Sequence, residues 1–510
     1  MLALPIYISF LGALVLMLLP KGSVRAARVV ALGSALIGLF VGLGVACTGG
    51  PGAGKFVSMI NVPWISSLGI NNHLGFDGIS LTLVVLTGLA AVAGILFSWN
   101  IEHRVNEFFA FYLVLIGGVY GVFMSFDLFL LFVFYEIAII PKYFLVAIWG
   151  STRKEYGAMK LVLYSFVGSA MVLVGMIAAY VVAGAQTQQP TFDLVQIAQS
   201  VDFPRTFQLW VFPLVFVGFG ILAGLWPFHT WAPTGHVAAP TAASMLLAGV
   251  VMKLGAYGCL RVAMTLFPLG LAPWAAPHLG FGSWRDVFAV LGVIGIVYGA
   301  MVALVQKDFK FVIGYSSVSH MGFVILGLMT LTITGLQGAV LQMFSHGIIA
   351  GLLFGVVGRM VYDRTHTRQF GDLEHMGLGK AMPFAAVTFV IAGMASMGLP
   401  GFSGFVAEFQ VLAGAWKSFP VLVVISGVGI VIGVAYTLRA VQKAFFADHA
   451  PAAHADEHPM EPISLPERLA AVMLLATTLI VGIFPGLLLD WIRPAFESPL
   501  FDRLLRGGLQ

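Results

Sequence analysis

Long, continuously apolar stretches follow one another along the chain, separated by short polar segments. A helix crosses the hydrocarbon core of a bilayer with about 20 residues. Stretches of about that length or longer lie near 2–20, 27–47, 79–98, 107–126, 128–149, 157–184, 210–228, 238–266, 286–305, 309–331, 334–361, 382–416, 420–446 and 467–491. Their apolar residues are continuous rather than alternating, which favours helices over a β-barrel. The pattern predicts an all-α polytopic membrane protein with about fourteen transmembrane helices.

Composition supports this class and excludes others. Of 510 residues, 59% are hydrophobic and 9% are charged, against about 25% charged in soluble proteins. Disorder requires low hydrophobicity and is excluded, and a scattered net charge of +4 gives no basis for nucleic-acid binding. The two cysteines, Cys47 and Cys259, form neither a CxxC metal motif nor a disulfide framework. We therefore expect no metal site.

Proline and glycine interrupt two of the predicted spans. Leu399-Pro400-Gly401 lies inside 382–416, a stretch too long for one straight span, and Trp226-Pro227 lies in the span before Lys253. Paired broken helices in corresponding halves of a membrane protein indicate a transporter-like site at an inverted repeat. The alternative is that both prolines only kink tightly packed helices.

Charge placement predicts the orientation. With the N-terminus outside, sixteen Lys and Arg residues fall on the cytoplasmic side and eight on the other side. This bias agrees with the positive-inside rule. Both termini are then predicted on the periplasmic side.

Apart from charges at span ends, four charges remain deep within predicted spans: Glu136, Lys142, Lys253 and Glu408. Ionisable groups in a bilayer cost at least a few kcal/mol each, so they are functional candidates by default. Lys253 is about 20 Å from either end of its span and needs an internal partner or water. Glu136 is either a proton-exchanging acid or half of a structural ion pair. For Lys142 the preferred interpretation is that its side chain extends to the cytoplasmic interface.

Four histidines extend this set. His320 and His346 lie within apolar spans, and His229 and His236 flank the end of the first broken span. Imidazole accepts and donates protons near pH 7, which suits a relay. The alternative is an imidazole that only hydrogen-bonds backbone or serine. We expect His320 and His346 to be relay residues and His229 and His236 to be accessory.

Seven sequence blocks carry a resemblance to a known family. They are Gly75-Phe-Asp-Gly-Ile-Ser-Leu81, Phe134-Tyr-Glu136, Trp226-Pro-Phe-His-Thr-Trp231, Ala239-Pro-Thr-Ala242, Lys253-Leu-Gly-Ala-Tyr-Gly258, Tyr315-Ser-Ser-Val-Ser-His-Met-Gly322 and Leu399-Pro-Gly-Phe-Ser-Gly404. In these blocks and over nearly its whole length, the chain resembles the antiporter-like proton-channel subunits of respiratory complex I. An acid at Glu408 is similar to the chain M branch, whereas the L, N and Mrp branches usually carry lysine there.

The resemblance implies both an architecture and residue roles. Two inverted five-helix repeats would occupy 107–266 and 286–446, after N-terminal spans and a periplasmic loop in 1–106 and before a cytoplasmic loop and last span in 447–510. Glu136 would hold the charge that the coupling signal alters, and Lys253 would take or pass the proton. His320 and His346 would carry the proton onward, and Glu408 would release it.

One departure from the family concerns the partner of Glu136. The family normally has a lysine nine residues before the Trp of the His-x-Trp block, and this chain has Leu222 there. The family's Pro-Asp-Ala-His block is also altered, to Pro233-Thr-Gly-His236. Lys142 is a candidate replacement that would reach back across Pro141 to Glu136.

By resemblance, the chain is a proton-translocating membrane-arm subunit of an NADH–quinone oxidoreductase, without redox chemistry of its own. NADH, FMN, iron–sulfur clusters and quinone would belong to partner subunits, and the chain would contact other membrane-arm subunits and lipid. The positive-inside bias and the lack of a transit peptide favour a bacterial inner membrane. The alternatives are a subunit of a Mrp-type antiporter or membrane-bound hydrogenase, or a scaffold with an impaired channel, which Leu222 supports.

Overall fold

The structure, a computed structural model, describes residues 2–48, 54–275, 280–447 and 460–507. Over these ranges, twelve helices are long and apolar enough to cross a membrane, and Leu4–Leu18 and Pro383–Ser396 are shorter apolar helices. This confirms the predicted helical polytopic class, with twelve candidate spans and two shorter apolar helices where about fourteen spans were predicted. Residues 448–459, most of the predicted cytoplasmic loop, lie outside the described ranges.

The N-terminal part combines three spans with a β-hairpin. Its elements are α1 (Leu4–Leu18), α2 (Val24–Thr48), β1 (Val57–Ile65), β2 (Ile70–Phe76) and α3 (Gly78–Phe97). Helix α3 is almost wholly buried inside the bundle. It begins at Asp77, whose carboxylate accepts a hydrogen bond from the Ser80 amide and caps the helix.

The first predicted repeat contains four spanning helices and one interrupted span. Its helices are α4 (Val105–Met124), α5 (Leu128–Trp149), α6 (Lys154–Thr187), the short α7 (Leu194–Ser200), α8 (Arg205–Ala223), α9 (Trp231–Ala238), α10 (Thr241–Leu246) and α11 (Met252–Gly258). Helices α8 and α9 form the interrupted span, which is the fourth of this repeat.

The second predicted repeat follows the same order. Its helices are α12 (Trp284–Val305), α13 (Phe309–Met329), α14 (Ile333–Gly355), the short α15 (Asp363–Thr365), α16 (Phe370–Leu373) and α17 (Leu378–Ala381), then α18 (Pro383–Ser396), α19 (Ser403–Trp416) and α20 (Pro420–Phe445). The interrupted span α18–α19 is again the fourth. The chain continues with α21 (Leu465–Ile483), α22 (Gly486–Phe496) and α23 (Asp502–Gly507). The repeat boundaries themselves stay a prediction.

Both predicted interruptions are present. Helix α8 ends at Gly224 in the left-handed region (φ 82), and an irregular segment with one 3₁₀ turn leads to α9. Helix α18 gives way to Gly398 (φ 73) and Gly401 (φ 101) on either side of Pro400. Only glycine adopts such φ values without strain, and proline cannot continue the helical hydrogen bonds.

Three π-helical segments were not predictable from the sequence. Leu247–Val251 and Cys259–Met264 lie on either side of α11, and Val356–Tyr362 continues α14. π-Helical turns inside α-helices occur frequently at functional sites. Two of them bracket the helix that carries Lys253.

The hairpin β1–β2 was not predicted; it lies in the part of 1–106 where a periplasmic loop was expected. One contact joins it to the bundle: His73 Nδ1 lies 2.6 Å from Asp193 Oδ2. His73 Nε2 also lies 2.9 Å from Ser58 Oγ on the other strand of the hairpin. The Asn71 amide donates to Asp127 Oδ2 at 3.0 Å. Burial and the neighbouring Asp193 carboxylate raise the pKa of Asp127 to about 6, against the hydrogen bonds it accepts.

We expect Asp193→Ala to loosen the hairpin. Asp193 is buried and both holds His73 and caps α7 through the Gln196 amide. Losing a helix cap and a hydrogen bond to a charged group lowers the local free energy of unfolding by roughly 2–3 kcal/mol. Hydrogen exchange of residues 57–76 should therefore accelerate. Asp202→Ala, at a largely exposed carboxylate, is the control; equal exchange in both variants would contradict this role.

Candidate functional site

The second broken helix places Glu408 against a histidine inside the bundle. Glu408 lies on α19, one turn after the interruption, and is buried. His320 Nδ1 lies 3.0 Å from Glu408 Oε1, and His320 Nε2 lies 3.1 Å from Ser396 Oγ at the end of α18. Gln342 Nε2 donates to the same carboxylate oxygen at 3.3 Å. Glu408 and His320 therefore form one buried acid–base pair.

Lys253 makes the corresponding pair with His346. Its ammonium lies 2.7 Å from His346 Nδ1 and donates to the carbonyl of Ala248 in the preceding π-helical segment. Both Lys253 and His346 are buried. Lys253 therefore has one imidazole and one carbonyl as partners. In the described parts of the chain, no carboxylate lies within ion-pairing distance of it.

The Glu408–His320 pair and the Lys253–His346 pair lie next to each other. The rings of His320 and His346 are 5.4 Å apart between centroids. A small internal cavity borders both histidines and Glu408, and its size corresponds to roughly one water molecule. Hydroxyl and amide groups form part of its lining, from Ser316, Ser317, Gln342, Ser345 and Ser396, and apolar side chains form the rest. The predicted residues Lys253, His346, His320 and Glu408 thus form one contiguous polar row.

Glu136 and Lys142 form a separate site on α5. Glu136 Oε1 and Lys142 Nζ are both buried and lack hydrogen-bond partners among the described residues. The two charges interact electrostatically without a contact inside 4 Å. Lys142 is only 1% exposed, so the interpretation that it extends to the interface is wrong: α5 continues through Pro141 and turns the side chain into the protein.

The region around α8 and α9 gives the accessory histidines apolar surroundings. Leu222, at the position of the family lysine, is buried. His229 lies beside Tyr298, with ring centroids 5.2 Å apart, and His236 lies beside Phe354 at 5.3 Å. The His236 imidazole has no hydrogen-bond partner in the described part of the chain, and His229 interacts with the backbone of Pro227. His229 and His236 are therefore not joined directly to the row.

Sequence reasoning missed several buried charges. Arg261 is fully buried and donates to Asp77 at 2.6 Å, with Tyr257 as a second acceptor at 3.2 Å. Glu467 on α21 accepts from Arg359 and Arg364. In the sequence these residues lie in predicted loops or near the ends of predicted spans. Only the fold brings their partners together. The missed members of the polar row, Gln342 and Ser396, carried a weak signal as polar residues within apolar spans.

Comparisons with known proteins agree with this architecture. Residues 125–433 match the family model described as "NADH:quinone oxidoreductase/Mrp antiporter, TM". The chain is 36% identical to NADH-quinone oxidoreductase subunit M of Pseudomonas aeruginosa, over 95% of this chain and 94% of the relative. It is also 36% identical to subunit M of Rhodobacter capsulatus, over 85% and 82%.

A solved structure is also similar to this chain in fold. The fold is similar to a chain of "Respiratory complex I from Thermus thermophilus with bound NADH", with a TM-score of 0.86, 27% identity and complete coverage of both chains. The chain belongs to the NADH:quinone oxidoreductase/Mrp antiporter family of membrane subunits, within its subunit M group.

Proposed function

We propose that this chain translocates protons as a membrane-arm subunit of a complex I-type NADH–quinone oxidoreductase, through Lys253, His346, His320 and Glu408. The observation that carries the proposal is the contiguous buried row of these four residues inside a membrane-spanning bundle. Maintaining ionisable groups at such depth is costly. A proton path explains why all four ionisable residues are kept inside the membrane-spanning bundle.

The row supports a balanced sequence of proton transfers. The Lys253 ammonium gives a proton to His346 Nδ1 and becomes a neutral amine, while His346 releases its Nε2 proton toward the cavity it shares with His320. His320 gives its Nδ1 proton to Glu408 and takes the proton from His346. Glu408 then lies as a neutral acid beside the interruption at Gly398, where release to the outer side occurs.

The Glu136–Lys142 site is proposed as the control point. Lys142 is buried without a hydrogen-bond partner among the described residues, Glu136 is partly buried and hydrogen-bonded to Ser169, and the two charges are close enough to interact. A change in the protonation of Glu136 would alter the electrostatic potential acting on the row. His229 and His236 remain accessory candidates.

The redox chemistry is assigned to partner subunits. NADH, FMN, iron–sulfur clusters and quinone would be bound there, and other membrane-arm subunits together with lipid would cover the exposed apolar faces of this chain. The bacterial relatives and the positive-inside bias support a bacterial inner membrane as its location.

Glu408→Gln tests the proposal in the assembled complex. Glutamine keeps the shape and the hydrogen bonding of the side chain but cannot take up a proton, so proton uptake by membrane vesicles should fall about tenfold or more. Glu155→Gln, at an exposed carboxylate on α6, is the control. Native proton uptake and proton-to-electron ratio in Glu408→Gln would overturn the proposal.

A scaffold with an impaired channel is the second candidate, and Leu222 is the observation that favours it. No lysine lies elsewhere in 206–230, so the usual partner of Glu136 is missing from α8. A scaffold predicts that Glu408→Gln leaves proton uptake unchanged in a fully assembled complex. The same measurement therefore separates the two functions.

A further inference from the structure

Three polar side chains follow one another at four-residue spacing along the span that carries Lys253. Lys253 and Tyr257 both lie on α11, and residues four apart on a helix share a face, with Cβ atoms about 5–6 Å apart. Arg261 follows in the π-helical segment, and its Nε donates to the Tyr257 hydroxyl at 3.2 Å. This series leads from the middle of the span toward the end that the charge bias predicts to be outer.

The single proton of the Tyr257 hydroxyl has a fixed direction. Tyr257 donates to the backbone carbonyl of Phe123 at 3.1 Å, accepts from Arg261, and lies 3.2 Å from Ser80 Oγ. A guanidinium has donors and no acceptor. Because the phenol proton is given to the carbonyl, the Ser80 hydroxyl donates to Tyr257. Among these partners, only a backbone carbonyl accepts from the phenol.

Arg261 separates Tyr257 from an acid at the outer end of α3. Its Nη2 donates to Asp77 Oδ2 at 2.6 Å, and both side chains are fully buried. The Asp77 carboxylate is fixed further because its Oδ1 accepts from the Ser80 amide at 3.0 Å. Arginine does not deprotonate in proteins. A proton that reaches Tyr257 therefore finds no position on Arg261 where it could bind.

Aromatic rings surround the rest of the guanidinium. Its central carbon lies 5.1, 5.3 and 5.4 Å from the ring centroids of Phe126, Tyr257 and Phe501, which is within the range of cation–π contacts. Nη1 has no hydrogen-bond partner among the described residues. Phe501 belongs to the C-terminal segment, which the charge bias predicts to lie outside. This segment therefore covers the Arg261–Asp77 pair.

We propose that Arg261 is a proton barrier that prevents Lys253 from exchanging protons with the outer side through Tyr257 and Asp77. The inference rests on the proposed function, in which Lys253 passes its proton to His346, and adds the residue that closes a competing exit. A fixed arginine excludes protons from a pore electrostatically in other membrane proteins. The alternative role for the pair is to hold α3 against the Lys253 span.

Arg261→Lys tests the barrier because it keeps a cation beside Asp77 but introduces a group that exchanges its proton. The introduced ammonium would give a proton to Asp77, which releases it outside, and would regain one from Tyr257, which takes one from Lys253. In liposomes containing the assembled complex without NADH, we expect the passive proton leak driven by a potassium diffusion potential to rise about tenfold or more. Arg205→Lys, at an exposed arginine of α8, is the control.

A second substitution distinguishes a leak through Lys253 from damaged packing. In Arg261→Lys combined with Lys253→Met, the leak should return to the native level, because it begins at Lys253. A leak that persists in the double variant, or a native leak in Arg261→Lys, would overturn the barrier.

Arg261→Gln is measured alongside, in case the lysine variant does not assemble. The amide accepts as well as donates, so this variant should also leak, and a native leak in it would overturn the barrier. Native proton uptake during turnover in Lys253→Met alone would overturn the proposed function instead.

Discussion

Lys253→Met is expected to abolish proton translocation by the assembled complex. Methionine approximates the length of lysine and tolerates an apolar site, but it can neither hold a proton nor donate to His346. Loss of a group that transfers a proton typically lowers a rate by about 10²–10⁴-fold. Proton uptake and quinone reduction in membrane vesicles measure the effect, and the proton-to-electron ratio or the coupled turnover must fall.

Lys253→Arg separates a proton carrier from a structural cation. Arginine keeps the positive charge next to His346 but does not deprotonate in proteins. A structural cation predicts substantial recovery in Lys253→Arg relative to Lys253→Met, whereas a carrier predicts loss in both. Lys417→Met, at an exposed lysine, is the control for assembly. Native proton uptake and turnover in Lys253→Met would contradict the relay.

Lys142→Met is expected to abolish pumping as thoroughly as Glu136→Gln. The two charges lie on one helix, Lys142 Nζ has no hydrogen-bond partner among the described residues, and Glu136 has Ser169 as its partner. Removing either charge leaves the other without a countercharge at depth. We expect a loss of about 10²-fold in both variants, comparable with loss of a proton-transfer group. Lys307→Met, at an exposed lysine, is the matched control.

Leu222→Lys provides a rescue experiment for the same site. It places a lysine on α8 where the family normally has one, and Leu222 is itself buried. In the Lys142→Met background, we expect this second substitution to restore part of the proton uptake. Near-native pumping in Lys142→Met alone would refute the idea that Lys142 replaces the missing lysine.

The sequence predicted the parts of the site that depend on local chemistry. Pro400 with its flanking glycines interrupts a helix in any surroundings, and a charge such as Lys253 or Glu408 in the middle of an apolar span has to find a partner inside the protein. Which partner it finds is a tertiary property. That Lys253 meets His346, and Glu408 meets His320, follows from helices adjacent in the fold and not from any spacing along the chain.

Other features depended on side-chain direction, which an apolar pattern does not encode. Lys142 was expected to extend to the interface, but α5 continues past Pro141 and directs the lysine inward. Arg261 and Asp77, far apart in sequence, form a fully buried ion pair. The hairpin was missed because its second strand, with Asn71, Asn72 and His73, has a polar sequence resembling a loop.

The most direct test of the relay follows the protonation of Glu408 during turnover. Infrared difference spectroscopy of the assembled complex detects the C=O stretch of a protonated carboxyl, and the band absent in Glu408→Gln belongs to this residue. The relay predicts that the Glu408 band is present in native protein and in Lys417→Met, and is lost in Lys253→Met. A Glu408 band of native amplitude in Lys253→Met would show that its proton does not come through Lys253 and would contradict the account.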